Sequence, residues 1–383
     1  MNIVFLHTVA IDPLKGGIEK VTHILGTALR ERGHSVDYIS MMDVYKESCD
    51  KSYQYFFPNK KIYAKENQFF LRNFFQEKKT DLVIFQAGDD KRIPFPHLFS
   101  SLGIRLIVAV HTDPEFYKAH VKNKIASKYG DAAVQSPFLQ FLNKIKIFIR
   151  RQKQRKIYRK NSSIAEKVIL LSPKFEPRFK TYLKKRDRGK ICSIPNPVEN
   201  FPHRLPKEKG HEILYVGRMN IDEKRVSHLL RIWKLIQHEF PDWNLRLVGG
   251  GSDEKELKEL SKKLKLLRVS FEGFQKPQKY YERASIFCLT SAFEGFGLVL
   301  VEASAFGCVP VAFNSYPSAE EIIQSESNGF LVPENDIHAY ADVLRQLMSD
   351  QELREKLSFE ANKNAQRFSL EKILPKWEQV LEF

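Results

Sequence analysis

The sequence predicts an α/β protein built from two doubly wound, parallel-sheet domains. Three observations predict it. Short runs rich in Ile, Val and Leu alternate with segments of helical spacing, the alternation breaks at a polar, lysine-rich stretch, and it then starts again. At 383 residues the chain is too long for one ordinary core and suits two. Strands separated by helices imply a parallel sheet covered on both faces.

In the first half, residues 2–6, 35–40, 81–86, 105–110 and 167–171 read as buried strands. The helix after the first strand begins near Gly17. Its apolar face is Ile18, Val21, Ile24, Leu25 and Leu29, and Gly33 stops it. Ile194-Pro-Asn-Pro-Val198 closes this half, and residues 202–210 read as a linker. The second series has strands at 213–216, 244–248, 269–271, 286–289 and 309–312. Helices at 226–240 and 253–264 lie between them, and 370–383 is helical in pattern. The expected domains are therefore 1–200 and 201–365, with a terminal helix over 366–383. Doubly wound sheets bind ligands beyond the carboxyl ends of their strands, so the loops there are where functional residues are expected.

Composition narrows the classes. No stretch reaches the roughly 18–20 apolar residues of a membrane span. The first apolar run lacks a basic lead and a cleavage site, so it reads as a strand and the protein as cytoplasmic. Cys49, Cys192, Cys288 and Cys308 are far apart and make no metal spacing, so no metal is expected. The net charge of +16 favours an anionic partner. Residues 118–160 hold one acid, Asp131, among many lysines and arginines. Within them, Phe138-Leu-Gln-Phe-Leu-Asn-Lys-Ile-Lys-Ile-Phe-Ile-Arg mixes apolar and basic residues as a helix on an anionic membrane would. The competing reading is a core-packed helix with a solvated basic back. Nucleic acid is not expected, because no recognised module accompanies the charge.

The stretch Ala292-Phe-Glu-Gly-Phe-Gly-Leu-Val-Leu-Val-Glu-Ala-Ser-Ala-Phe-Gly307 is the most informative. Gly295, Phe296, Gly297 and Leu298 offer backbone N–H groups at a predicted helix start, which suits a phosphate. Glu294 precedes that turn and Glu302 sits one turn into the helix, each placed to hold hydroxyls beside the phosphate. A nucleoside diphosphate sugar has this layout. Arg218 and Lys224 follow the first strand of the second domain, where two cations would stabilise a diphosphate. Gly16 and Gly17 lie in a turn after the first strand and allow close backbone approach to a phosphate at the helix start, Gly17 being the better match; Gly249-Gly-Gly251 ends another strand, and His111 follows a buried strand. Gly273 and Phe274 end a further strand and offer backbone polar groups and a flat wall.

These motifs resemble the glutamate–seven–glutamate signature of retaining glycosyltransferases with the GT-B fold, family 4 in particular. The resemblance runs over nearly the whole chain and is strongest over 212–333. It implies two Rossmann-like domains facing a central cleft, with the terminal helix crossing back. It implies that Glu302 binds ribose hydroxyls and that Glu294 holds the donor sugar. It further implies that Arg218 and Lys224 meet the diphosphate, that His111 contacts the donor sugar, and that Gly273 and Phe274 lie beside the base. Arg225 stands where many members have glycine, so either Lys224 or Arg225 takes the phosphate. The implied activity is metal-independent, retaining transfer of a hexose or N-acetylhexosamine from a UDP-sugar. The implied acceptor is a lipid-linked glycan of bacterial surface polysaccharide, met at the inner face of the cell membrane. No cofactor beyond the donor is expected. Two rivals stay open: a nucleotide-sugar epimerase of the same fold, and a non-catalytic sugar- or membrane-binding module.

Overall fold

The computed structural model describes residues 1–42, 52–89, 91–121, 136–199, 201, 202, 205 and 208–382. Cys49, residues 122–135 of the basic region and part of the expected linker lie outside them. The chain separates into two compact units. One comprises Met1–Pro114, Phe148–Glu199 and Leu370–Phe383, and the other Glu115–Ile147 and Asn200–Ser369. The segment Glu115–Ile147 thus groups with the second unit, not with the first half of the chain.

The first unit is built on β1 (Asn2–Val9), β2 (Ser35–Met42), β3 (Gln54–Phe56), β4 (Leu82–Phe85), β5 (Arg105–Val110), β6 (Lys167–Leu170) and β7 (Ile191–Ser193). They pair in the order β3-β2-β1-β4-β5-β6-β7, and every pair is parallel. Phe5 stands opposite both Tyr38 and Ile84 on one face of the sheet, and its neighbours Val4 and Leu6, which point to the other face, are also buried. Helix Gly17–Glu31 buries Val21, Ile24, Leu25 and Leu29 as its spacing predicts. The terminal helix Leu370–Leu381 buries Ile373, Leu374, Trp377 and Leu381 in this unit. Its end is tied down by the Arg105 guanidinium, which donates to the Leu381 carbonyl at 2.6 Å.

The second unit contains β8 (Gly210–Val216), β9 (Asn244–Val248), β10 (Val269–Gly273), β11 (Ala284–Leu289), β12 (Val309–Phe313) and β13 (Phe330–Val332). Their order is β10-β9-β8-β11-β12-β13, again all parallel. Strand order therefore reverses between β1 and β4 in one sheet and between β8 and β11 in the other. Open α/β sheets bind ligands outside the carboxyl ends at such points.

Helix Pro137–Ile164 carries the basic amphipathic stretch. Ile157 and Tyr158 in its second half are buried. Phe138, Phe141, Ile145, Phe148 and Ile149 in its first half are exposed, so the core-packed reading fails there. Among the described residues, no helix is long and apolar enough to cross a membrane.

Candidate active site

Two loops leave β8 and β11, the strands at which the second sheet reverses. One runs from Gly217 to Arg225, the other from Thr290 to Gly297. Buried Thr290 joins them: its hydroxyl reaches the carbonyl oxygens of Lys224 and Arg225, each at 3.0 Å. The Ala292 N–H donates to the Glu223 carbonyl at 2.7 Å. Asp253 accepts the Ile221 N–H at 2.8 Å and Asn220 the Glu223 N–H at 2.6 Å, which orders the first loop. These ties leave the Lys224 ammonium 2.5 Å from Glu294 Oε1. The Ser291 hydroxyl donates to the same oxygen at 2.7 Å. The Lys224 and Glu294 side chains are 15% and 13% exposed, so the pair is largely desolvated.

The other cations are arranged differently. Arg225 takes a left-handed backbone conformation (φ 48°) and is buried. It donates to Glu334 at 3.1 Å, so of the two candidates it is Lys224 whose charge meets Glu294. Arg218 is 68% exposed and pairs with Glu223 at 2.8 Å. The structure brings Lys224 and Glu294 together and leaves Arg218 outside that contact.

Helix Leu298–Ala305 starts after Gly297, whose φ of +89° is a conformation that favours glycine. The first N–H groups of a helix lack intrahelical partners. Glu302 lies within the helix, 7% exposed, and accepts the Tyr281 hydroxyl at 3.0 Å. Burial and the adjacent Glu302 charge raise the Tyr281 pKa well above the ordinary tyrosine value, keeping it a donor. The Phe296 side chain is core, packed edge-on to Phe368 at 5.3 Å, so only its backbone is available to a ligand. The buried Tyr316 hydroxyl would lie 3.2 Å from a Cβ placed at Gly297, and it has no hydrogen-bond partner among the described residues. At the end of β10, Gly273 turns the chain (φ +68°) and Phe274 is exposed. Gly249 and Gly251 meet the backbone of Gly217 and Met219 too closely for any side chain, so packing within the unit already accounts for them.

In the first unit, His111 follows β5 and is buried. Its N–H donates to Asp89 at 3.1 Å, and its Nε2 meets Gln86 Oε1. Burial, aided by nearby His7, pushes the His111 pKa down to about 3, so the ring is neutral at physiological pH. Asp113, two residues on, accepts from Arg178 at 3.0 Å. At the start of helix Gly17–Glu31, a Cβ at Gly17 would meet nothing, whereas one at Gly16 would overlap the Glu19 carboxylate. The Glu19 carboxylate, the end of a flexible side chain, is therefore what crowds this turn, and it does so at Gly16 rather than Gly17. Glu19 also approaches His7 Nε2 at 3.6 Å.

Sequence reasoning missed Thr290, Ser291, Tyr281, Tyr316 and Gln86. Thr290 and Ser291 did leave a signal, as a polar pair at the end of an apolar strand. Tyr281 left none, because it reaches Glu302 from a different helix.

Residues 198–364 match the family model described as glycosyl transferases group 1. An uncharacterized glycosyltransferase of Haemophilus influenzae is 29% identical over 376 residues, 96% of each chain. The amylovoran biosynthesis glycosyltransferase AmsD of Erwinia amylovora is 28% identical over 57% of this chain and 62% of its own. The lipopolysaccharide 1,6-galactosyltransferase of Escherichia coli is 30% identical over 42% and 46%, so the present chain aligns with less than half of that protein. Among solved structures, Anabaena HepE in complex with UDP-glucose superposes with a TM-score of 0.74 at 17% identity, covering 99% of both chains. The apo lipopolysaccharide outer core galactosyltransferase WaaB gives 0.71 at 17%, covering 100% of this chain and 99% of its own. Both likenesses bear on fold alone, two Rossmann-like domains of the GT-B kind.

Proposed function

We propose that this chain, which matches the glycosyl transferases group 1 over residues 198–364, belongs to that family and moves a hexose or N-acetylhexosamine from a UDP-sugar to a hydroxyl of a lipid-linked glycan in bacterial polysaccharide synthesis. The observation that carries the reading is the desolvated Lys224–Glu294 pair beside the start of helix Leu298–Ala305, at the strand reversal. The relatives named for polysaccharide and lipopolysaccharide synthesis support the acceptor class.

In this reading the helix N–H groups of Gly295 to Leu298 and the Lys224 ammonium hold the diphosphate. Lys224 offsets the charge that gathers on the leaving phosphate, a role that needs no metal. Both donors to Glu294 reach Oε1, and Oε2 is assigned to the sugar's 3- and 4-hydroxyls. Glu302 takes the ribose hydroxyls, and Gly273 with the exposed Phe274 flanks the base. Arg218 is the outer cation, released from Glu223 when the diphosphate binds. Configuration is retained by front-face attack. The bond from sugar C1 to the phosphate oxygen breaks with its electron pair leaving on phosphate. The acceptor oxygen then bonds C1 from the same face, and its proton passes to that phosphate oxygen. No separate base is required.

The exposed stripe of Phe138, Phe141, Ile145, Phe148 and Ile149, with Lys144, Lys146 and Arg150 beside it, supports docking on an anionic membrane where lipid-linked acceptors reside.

A thermal-shift panel of UDP-, GDP- and ADP-sugars with EDTA present tests the donor. Stabilisation by UDP and one UDP-sugar is expected, and no shift with any of them sinks the reading. Product analysis without acceptor separates the epimerase rival, which would convert the sugar alone. Sedimentation with phosphatidylglycerol vesicles, absent with phosphatidylcholine, is the expected membrane result.

A further inference from the structure

Glu302, the carboxylate assigned to the ribose, is not set by its own helix alone. Helix Leu298–Ala305 is buried around it: Val301, Ala303 and Ser304 are each no more than 2% exposed. A carboxylate taken out of water needs hydrogen bonds to replace those it loses. One comes from a different element. Tyr281, on helix Gln278–Arg283, directs its hydroxyl at Glu302 Oε2, 3.0 Å away. An ionised carboxylate only accepts, so in this bond the tyrosine donates. Burial, and then the Glu302 charge, raise the Tyr281 pKa well above the ordinary tyrosine value, so the hydroxyl keeps its proton.

Tyr281 is itself held at the ring and at the backbone. Its ring stacks on Phe306, with centroids 6.0 Å apart and planes at 24°, and meets Phe287 edge-on at 6.1 Å. Its carbonyl accepts from the Lys209 ammonium at 2.6 Å and from the Cys308 thiol at 3.2 Å. All of these residues belong to the second unit. A phenylalanine would fill the place of the ring equally well. Packing therefore accounts for the aromatic side chain and not for its hydroxyl. What the hydroxyl adds is the bond to one oxygen of Glu302.

We propose that Tyr281 is a positioning residue for nucleotide recognition: by holding Oε2 it fixes the rotation of the Glu302 carboxylate, which then meets the ribose hydroxyls at a constant angle and selects ribonucleotides over deoxy counterparts. The ribose contact rests on the transferase reading; the bond between Tyr281 and Glu302 does not. The last torsion of a glutamate is broad, so a carboxylate without a fixed partner turns through many orientations. Ordering it only when the nucleotide arrives would cost affinity, and Tyr281 orders it beforehand. A buried group set to accept from a hydroxyl also rejects a ligand that lacks one, because the group is then left unmet.

The test compares the full chain with its Tyr281→Phe variant by calorimetry against two probes, UDP and 2′,3′-dideoxy-UDP. The variant keeps both ring contacts and loses only the hydroxyl. The wild type is expected to bind UDP about tenfold or more tightly than the dideoxy probe, since bonds to a charged acceptor are lost with the hydroxyls. In Tyr281→Phe that preference should shrink by about threefold or more, with affinity for the dideoxy probe kept within about twofold. A packing role alone would weaken both probes alike and leave the preference where it was. That result, in a protein whose wild type binds UDP, overturns the proposal and leaves the transferase reading standing. Failure of the wild type to bind either probe sinks the transferase reading and the proposal with it. If the variant does not fold, a crystal structure of the wild type with UDP decides. Hydrogen bonds to Glu302 from the Tyr281 hydroxyl and from the ribose together are expected there, and the absence of either overturns the proposal.

Discussion

Each unit has a glycine turn that feeds a helix at the carboxyl end of its sheet, and the two turns are filled differently. At the start of helix Gly17–Glu31 the chain supplies its own anion: Glu19, in the first turn, folds its carboxylate against Gly16. Helix Leu298–Ala305 has no acid in its first turn. A lysine stands ready beside it instead, paired with Glu294. A helix start attracts anions through its free N–H groups and its dipole. One that already holds a carboxylate has little left to offer a phosphate. The sequence shows two similar glycine turns; in the proposed reading it is the second that receives the donor's phosphate.

The largest expected effect separates the cations of the second site. Lys224→Ala removes a desolvated charge at the leaving group and should lower kcat/KM by about 10²–10³-fold. Arg218→Ala removes a charge that is 68% exposed and shared with Glu223, and screening in water should limit the loss to about tenfold or less. Equal losses in steady-state kinetics would break the distinction, by showing that the open and the desolvated cation do the same work. Next in size is Glu302→Ala. It removes a charged hydrogen-bond acceptor and should weaken UDP binding by about tenfold, since bonds to charged groups contribute roughly 1.5–3 kcal/mol. Calorimetry with UDP reads this directly. An unchanged affinity would move the ribose away from Glu302.

How much of this was legible follows from where the signals lie. The central strands were readable because each is a run of apolar residues bounded by turn chemistry; 105–110 and 244–248 fall where β5 and β9 do. The edge strands β3, β7 and β13 were missed, because three residues are too few to show a period of two. The pairing of Glu294 with a cation was half legible. The strand-end position of Lys224 was in the pattern, but the choice between Lys224 and Arg225 depended on one left-handed residue that sends Arg225 toward Glu334. Tyr316 and Gln86 were invisible, since neighbours distant in sequence give each its environment.

The smallest expected effect bears on the turn that the chain fills for itself. Sequence reasoning took Gly17 for a phosphate contact, on the ground that only glycine lets a ligand approach the backbone. The structure gives Gly17 open space and a φ that other residues adopt, and places the crowding at Gly16. Gly17→Ala should therefore be tolerated. It should raise stability by about 0.4–1 kcal/mol, through the reduced freedom of the unfolded chain, and leave the affinity for UDP-sugar within twofold. Urea denaturation and calorimetry on the same variant read both quantities. A clear loss of donor affinity with folding intact would mean that a phosphate does reach this turn, displacing the Glu19 carboxylate. The contrast between the two glycine turns would then fall.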